Sequence, residues 1–187
     1  MLKTWLLTLT FLLSVVPAIV NAQNTNLDSK SLFSADGYRL DRYRSPTPDT
    51  IEGIQTISTP DLKAALGASP TPVVIDVINS EYRASRFIET KPHYSVPGAY
   101  WLPNTGRGEM NQQWLDYLVS NVRKLTHSKH NYPVIVMCKS DCWLSWNAAR
   151  RLRAAGFTHL YWYKNGIDSW QNAGLPVEAV TPVPPGF

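Results

Sequence analysis

The chain has 187 residues, 44% of them hydrophobic and 17% charged, and Lys plus Arg exceed Asp plus Glu by a net +4. Ordinary globular chains carry about 25% charged residues, so this composition excludes a polyelectrolyte or acidic disordered chain, and the diffuse positive balance does not argue for nucleic acid. Two cysteines are too few to staple a domain of this size, so whatever they do is local.

Met1-Leu2-Lys3 is a short basic start, followed by an apolar or hydroxyl run from Trp5 to Val16, a break at Pro17, and Val20-Asn21-Ala22. This pattern predicts a secretory signal peptide over residues 1–22, cut before Gln23. The apolar run falls short of the roughly 20 residues that a membrane span needs. The chain is therefore expected in the periplasm, with no membrane segment left after cleavage. Residues 23–56 are polar, contain Pro46 and Pro48, and show no apolar periodicity, which predicts an extended arm lying across a surface.

A compact domain is expected over residues 57–180. Thr59-Pro60-Asp61 opens a short helix carrying Leu62, Ala65 and Leu66, and Gly67 stops it. Val73 to Val77 is a continuous apolar run interrupted only by Asp76, as in a strand buried on both faces. Over residues 112–125, Trp114, Leu115, Leu118, Val122 and Leu125 lie along one helical stripe. Val134–Met137 reads as another buried strand, residues 145–155 as a helix ending at Gly156, Leu160–Tyr163 as a strand, and Ile167–Asn172 as a last helix. Strand and helix alternate, so the fold class is α/β: one central parallel sheet flanked by helices. Pro182, Pro184 and Pro185 make residues 181–187 a stiff tail, read as a terminus in preference to a partner contact.

Both cysteines fall directly after the strand Val134–Met137, in Cys138-Lys139-Ser140-Asp141-Cys142-Trp143. In open parallel sheets, ligands bind beyond the carboxyl ends of the strands, and a loop leading into a helix turns backbone N–H groups toward that space. A thiol there has its reactive thiolate stabilised. Cys138 is thus placed like a nucleophile, with an inert, buried strand-end cysteine as the competing reading. Cys142 lies four residues on and closes a disulfide only if the Cα separation stays under about 7 Å. Lys139, Ser140, Asp141, Trp143 and Ser145 are the candidate substrate-binding residues around the pair. Asp76, at the sheet's carboxyl end, is expected to be a hydrogen-bonded structural carboxylate.

Several segments, in order, carry a resemblance: Ile75-Asp76-Val77, Val96-Pro97-Gly98-Ala99, Val136-Met137-Cys138, Ala155-Gly156-Phe157, Gly166-Ile167-Asp168-Ser169-Trp170 and Ala173-Gly174-Leu175-Pro176-Val177. Together they resemble a rhodanese-like domain over about residues 57–178. That resemblance implies a cysteine at position 138 able to accept a sulfane sulfur and carry it as a persulfide. The leader, the arm Gly37-Tyr38-Arg39 through Tyr43-Arg44-Ser45-Pro46, and Cys142-Trp143 resemble the exported rhodanese-like proteins named for pyrroloquinoline-quinone-dependent catabolism and a Cys-Cys-Trp motif. That label has two residues between its cysteines, whereas three separate Cys138 from Cys142. The narrower resemblance implies a periplasmic quinoprotein dehydrogenase system as partner.

The departures are equally informative. Where the common rhodanese loop runs from cysteine through Gly to Arg, Asp141 stands in the Gly-like place and Trp143 or Leu144 in the Arg-like one. Ser95 stands where a histidine often precedes Val-Pro-Gly-Ala, with His93 two residues back. Only backbone donors, Lys139 and Arg150 remain for a thiosulfate dianion, so thiosulfate:cyanide transfer is expected to be weak. Two thiolates are too few for a structural zinc site, and no cofactor is expected. Three functions stay open: sulfur transfer or thiol–disulfide exchange with small sulfur species or a partner protein thiol, a noncatalytic binding module, and a metallochaperone using the two thiols.

Overall fold

The computed structural model describes residues 32–187; the expected signal peptide and residues 23–31 of the arm lie outside the described residues. Its centre is a five-stranded parallel sheet of β1 (Gln55–Thr56), β2 (Val73–Asp76), β6 (Tyr100–Trp101), β7 (Val134–Met137) and β8 (Leu160–Tyr163), in the order β1-β8-β7-β2-β6. The two apolar runs read as buried strands are neighbours: Val73 faces Val134, and the register continues to Asp76 opposite Met137. Every residue of both is buried.

Alternation along these strands divides the core between two faces. Val73, Ile75, Val134 and Val136 pack under α2 (Gln112–Leu125) and α3 (Trp143–Ala154), against Leu118, Val122, Ala148 and Leu152. Val74, Ile135 and Met137 face the opposite side, with Leu62 of α1 (Thr59–Leu66) and Ile167 and Trp170 of α4 (Gly166–Asn172). Each face buries its own stripe, so neither helix pair can be removed without exposing half of the sheet.

Short elements surround this core. β3 (Glu81–Arg83) and β4 (Arg86–Ile88) form an antiparallel hairpin, and β5 (His93–Ser95) pairs antiparallel with β9 (Glu178–Val180). Residues 32–54 run across the α3 side, where Ile51 and Ile54 join the core. The last two residues of the segment read as arm, Gln55 and Thr56, are the sheet's edge strand β1; two residues are too few for any periodicity to register.

Two boundaries move for a local reason. α1 is capped by Ser58, not Thr59: its hydroxyl accepts from the Asp61 amide while the Asp61 carboxylate answers the Ser58 amide. α3 starts at Trp143 rather than Ser145, with Cys142 at the cap position and no capping side-chain bond, so nothing in the sequence advertises its start. The Pro-rich tail is seated on the domain. The Val183 amide donates to the Trp101 carbonyl at 3.0 Å and the Tyr117 hydroxyl to the Val183 carbonyl at 2.6 Å, while Phe187 packs edge-on against Trp114.

Candidate active site

β7 delivers Cys138 to the carboxyl edge of the sheet, and a three-residue loop returns the chain to Cys142 at the head of α3. The two cysteines are joined in a disulfide with Cα atoms 6.2 Å apart, within the span a disulfide allows. Both are almost fully buried, Cys138 at 1% and Cys142 at 3% exposure. Asp141 turns this short loop with φ of 45°, the left-handed region that Gly adopts freely and Asp tolerates better than most residues. That explains why it stands in the Gly-like place.

The floor of the loop is α4. The Ile167 amide donates to the Cys138 carbonyl at 2.9 Å. Gly166 is required there: its φ is +60°, and a Cβ would fall on the Lys139 backbone. This approach brings Asp168 beneath the loop, where its carboxylate accepts from the Ser140 amide at 3.0 Å and the Ser140 hydroxyl at 2.8 Å. Arg44 reaches the same oxygen at 3.4 Å. Burial opposes ionisation of Asp168, but the two Ser140 bonds and the Arg44 guanidinium outweigh it and hold the carboxyl below its ordinary value.

The roof is the arm. The Trp143 amide donates to the Tyr43 carbonyl at 2.9 Å and the Ser45 amide to the Asp141 carbonyl at 3.2 Å, setting Arg44 antiparallel against Cys142. The Trp143 indole donates to the Ser45 hydroxyl at 3.0 Å. Arg39 lies between two rings, its guanidinium carbon 5.1 Å from the Phe33 centroid and 5.0 Å from that of Trp143. Below the helix start, Asn147 holds both the amide and the carbonyl of Arg39.

The candidate substrate residues therefore divide. Lys139 is exposed and, with His93 and Trp101, lines a cleft of about 450 Å³ beside the loop. Ser140 is bound to Asp168, and exposed Asp141 shapes the turn. Trp143 anchors the arm. Ser145 is fully buried, its hydroxyl donating to the Cys142 carbonyl at 3.1 Å and accepting from the Trp162 indole at 3.0 Å. Arg150 does not reach the loop; it stacks on Trp146 and Tyr38 and bonds to the arm carbonyls of Gly37 and Asp36. Asp76 is a fully buried structural carboxylate, taking the Ser95 hydroxyl at 2.7 Å and the Ile78 amide at 2.9 Å, with His93 Nε2 2.8 Å away. His93 and Ser95 share one face of β5, so the displaced histidine still finds the aspartate.

The sequence around Gly166–Trp170 carries no signal that Asp168 holds the loop, and Arg44 and His93 likewise become partners of the site only through the fold. Chemically, two amides that a strand–loop–helix turn offers to an anion are occupied, Ser140 by a carboxylate and Trp143 by a carbonyl. What remains is an internal sulfur–sulfur bond. Both sulfurs are committed to it, and among the described residues no other group of His, Cys, Asp or Glu has the arrangement to hold a metal ion.

Residues 58–173 match the model of the Rhodanese-like domain family. The chain belongs to that family. Over 56 residues this rhodanese-like chain is 41% identical to thiosulfate sulfurtransferase GlpE of Actinobacillus pleuropneumoniae, a match covering 30% of the chain and 51% of the relative. The chain thus spans about half the length of the curated relatives it matches. Among solved structures it is similar to thiosulfate sulfurtransferase from Pseudomonas aeruginosa, at 20% identity, 70% coverage of this chain, 21% of the other and a TM-score of 0.49. It is also similar to the polysulfide-sulfur transferase homodimer of Wolinella succinogenes, at 21% identity, 70% and 82% coverage and a TM-score of 0.44.

Proposed function

We propose that this rhodanese-like domain works through reversible chemistry of the Cys138–Cys142 pair, as a thiol–disulfide exchanger or short-lived sulfur relay. The observation that carries this reading is the disulfide itself, closed within the loop where the family's sulfur chemistry is expected. In exchange, a partner thiolate attacks one sulfur, the internal bond breaks and the released thiolate takes a proton. A second thiol then completes the transfer of two electrons. In relay, the reduced Cys138 thiolate attacks the sulfane sulfur of a donor, the donor's bond to that sulfur breaks, its remainder leaves with the electron pair, and Cys138 holds a persulfide. Cys142 then attacks the inner sulfur, hydrosulfide leaves and the disulfide re-forms. Stable storage of a persulfide is therefore not expected with both thiols present.

Thiosulfate is a poor donor in this account, because Asp168 holds the Ser140 amide and places a negative charge beside the loop. A small neutral sulfur species or a protein thiol fits better. The names of the relatives support sulfur transfer as the chemical class. Export to the periplasm is part of the proposal; an internal disulfide suits an oxidising compartment. Association with a quinoprotein alcohol-oxidising system is likewise a proposal, resting on the sequence resemblance. The deep burial of both cysteines and the arm across the loop favour, as a second reading, a binding module that docks a partner without turnover.

Cyanide-dependent thiocyanate formation from thiosulfate by reduced wild type and Cys142→Ser distinguishes these readings. The proposal expects a weak wild-type activity and a longer-lived persulfide in Cys142→Ser. Brisk wild-type turnover unaffected by the substitution removes the resolving role of Cys142, and no sulfur loading or exchange in either protein leaves the binding module.

A further inference from the structure

A second cleft among the described residues shares no lining residue with the cysteine loop. It encloses about 650 Å³ between the arm, the loop before α2, α2 itself and the last turn of α3, a volume usual for small-molecule sites. Its apolar wall is made by Met110, Leu115, Val119, Ala154 and Ala155. Set into it is Arg151, 7% exposed. One terminal nitrogen, Nη2, donates to the Gly108 carbonyl at 2.7 Å, and the guanidinium lies 4.1 Å from the centroid of Tyr38. The other, Nη1, is buried and has no hydrogen-bond partner. No carboxylate among the described residues lies within salt-bridge distance of Arg151.

A guanidinium keeps its charge at any physiological pH, and burying a charge without a counter-charge is costly. A ring face and one carbonyl satisfy Arg151 only in part. The N–H groups left without an acceptor can donate to a carboxylate oxygen brought into the cleft, and the wall offers an apolar surface to whatever that carboxylate is attached to. The acids of the cleft, Asp36, Glu109 and Asp116, are all exposed, as is the cation Arg123. They lie at the solvent-screened rim, and Asp116 already accepts from the Gln112 amide at 2.8 Å. Charge at the rim is weakened by water; charge at the floor is not.

We propose that this cleft is a binding site for an organic carboxylate with an apolar tail, its carboxylate paired with Arg151 and its tail laid against Leu115 and Val119. The site is separate from the disulfide, so its occupancy and the redox chemistry of Cys138 and Cys142 can be tested independently. The volume of about 650 Å³ admits a medium-length aliphatic or aromatic acid. A dianion without an apolar part does not use the wall, and an alcohol of the same chain length leaves Arg151 unpaired.

Octanoate, octanol and octylammonium are the probes, titrated calorimetrically into the oxidised protein. Octanoate should bind saturably, and octanol about tenfold more weakly, the loss expected for one charged hydrogen-bonded contact. Arg151→Met should abolish the preference for octanoate over octanol. Because Arg151 also holds Gly108 and Tyr38, that variant can fail to fold, and Ala154→Trp supplies the second test. Ala154 is exposed at the end of α3, so the added ring obstructs the cleft without entering the core, and octanoate binding should be lost while the far-ultraviolet circular dichroism is unchanged. Equal affinities for octanoate and octanol, a preference for octylammonium, or undiminished octanoate binding by Ala154→Trp overturns the assignment. No binding of octanoate at millimolar concentration does so as well.

Discussion

The carboxylate of Asp168 receives both the amide and the hydroxyl of Ser140, so an anion belonging to the chain itself sits under the cysteine loop. Position 168 lies two residues after Gly166, whose missing side chain allows α4 to approach the loop backbone. Removing the carboxylate should free the Ser140 donors for an external anion. In Asp168→Ala, loading of reduced protein from thiosulfate, followed as a persulfide mass increment, should rise by about tenfold, the scale of a charged hydrogen bond. Unchanged loading would mean that the Ser140 amide does not face the incoming donor.

Asp168 also gives a pH signature. Its carboxyl is held below the ordinary value of 3.8, so the stabilisation is fully present above that value. It is lost as pH falls through the lower, native one. Chemical denaturation of wild type and Asp168→Asn should therefore differ by a constant amount near neutrality, and the two curves should converge below pH 3.8. Divergence on acidification would contradict the direction assigned to this group.

The arm should report the redox state. Arg44 lies opposite Cys142, and the Trp143 amide is held by Tyr43, so opening the disulfide loosens the residues on which the arm is seated. Trypsin should cut after Arg42 or Arg44 faster in reduced than in oxidised protein. Arg39→Ala, which deletes the contacts with Phe33 and Trp143, should cost about 1–2 kcal/mol and accelerate the same cleavage in both states. Identical cleavage of both forms would show that the arm is seated independently of the disulfide.

Much of this was legible in advance where burial forces a pattern. Val73–Asp76 and Val134–Met137 are covered on both faces, so their apolar runs mark them as buried strands and their alternation with helices makes the sheet parallel, and α2 runs from Gln112 to Leu125 as its stripe predicts. The edge strand β1, the β3–β4 hairpin and the β5–β9 pair were not legible, because two or three half-exposed residues carry no periodicity. At the site, the spacing of the cysteines allowed a disulfide, and the structure closes it. The partners of the loop come from far along the chain: Arg44 and Asp168 meet only after α4 has packed under the loop. His93 illustrates the same limit, since its reach to Asp76 depends on a strand pairing with β9 near the far end of the domain.

That His93 contact is testable as a structural element. Asp76 is wholly buried, and His93→Ala leaves its Oδ2 with the Ser95 hydroxyl alone. A loss of about 1–3 kcal/mol is expected, with little change in thiol–disulfide exchange. A large loss of exchange at unchanged stability would instead place His93 in the chemistry through the cleft it shares with Lys139.

The proposed function requires that Cys138 and Cys142 cycle. The decisive measurement is equilibration of the folded protein in a graded series of thiol–disulfide buffers, followed by acid quenching, alkylation and mass analysis of the loop peptide. A reversible two-electron transition is expected between a doubly alkylated peptide and an unalkylated one about 2 Da lighter than the dithiol, with the same midpoint from either direction and no transition in Cys138→Ser. Two thiols that stay free under oxidising buffer, or a disulfide that opens only when the protein is unfolded, would contradict it.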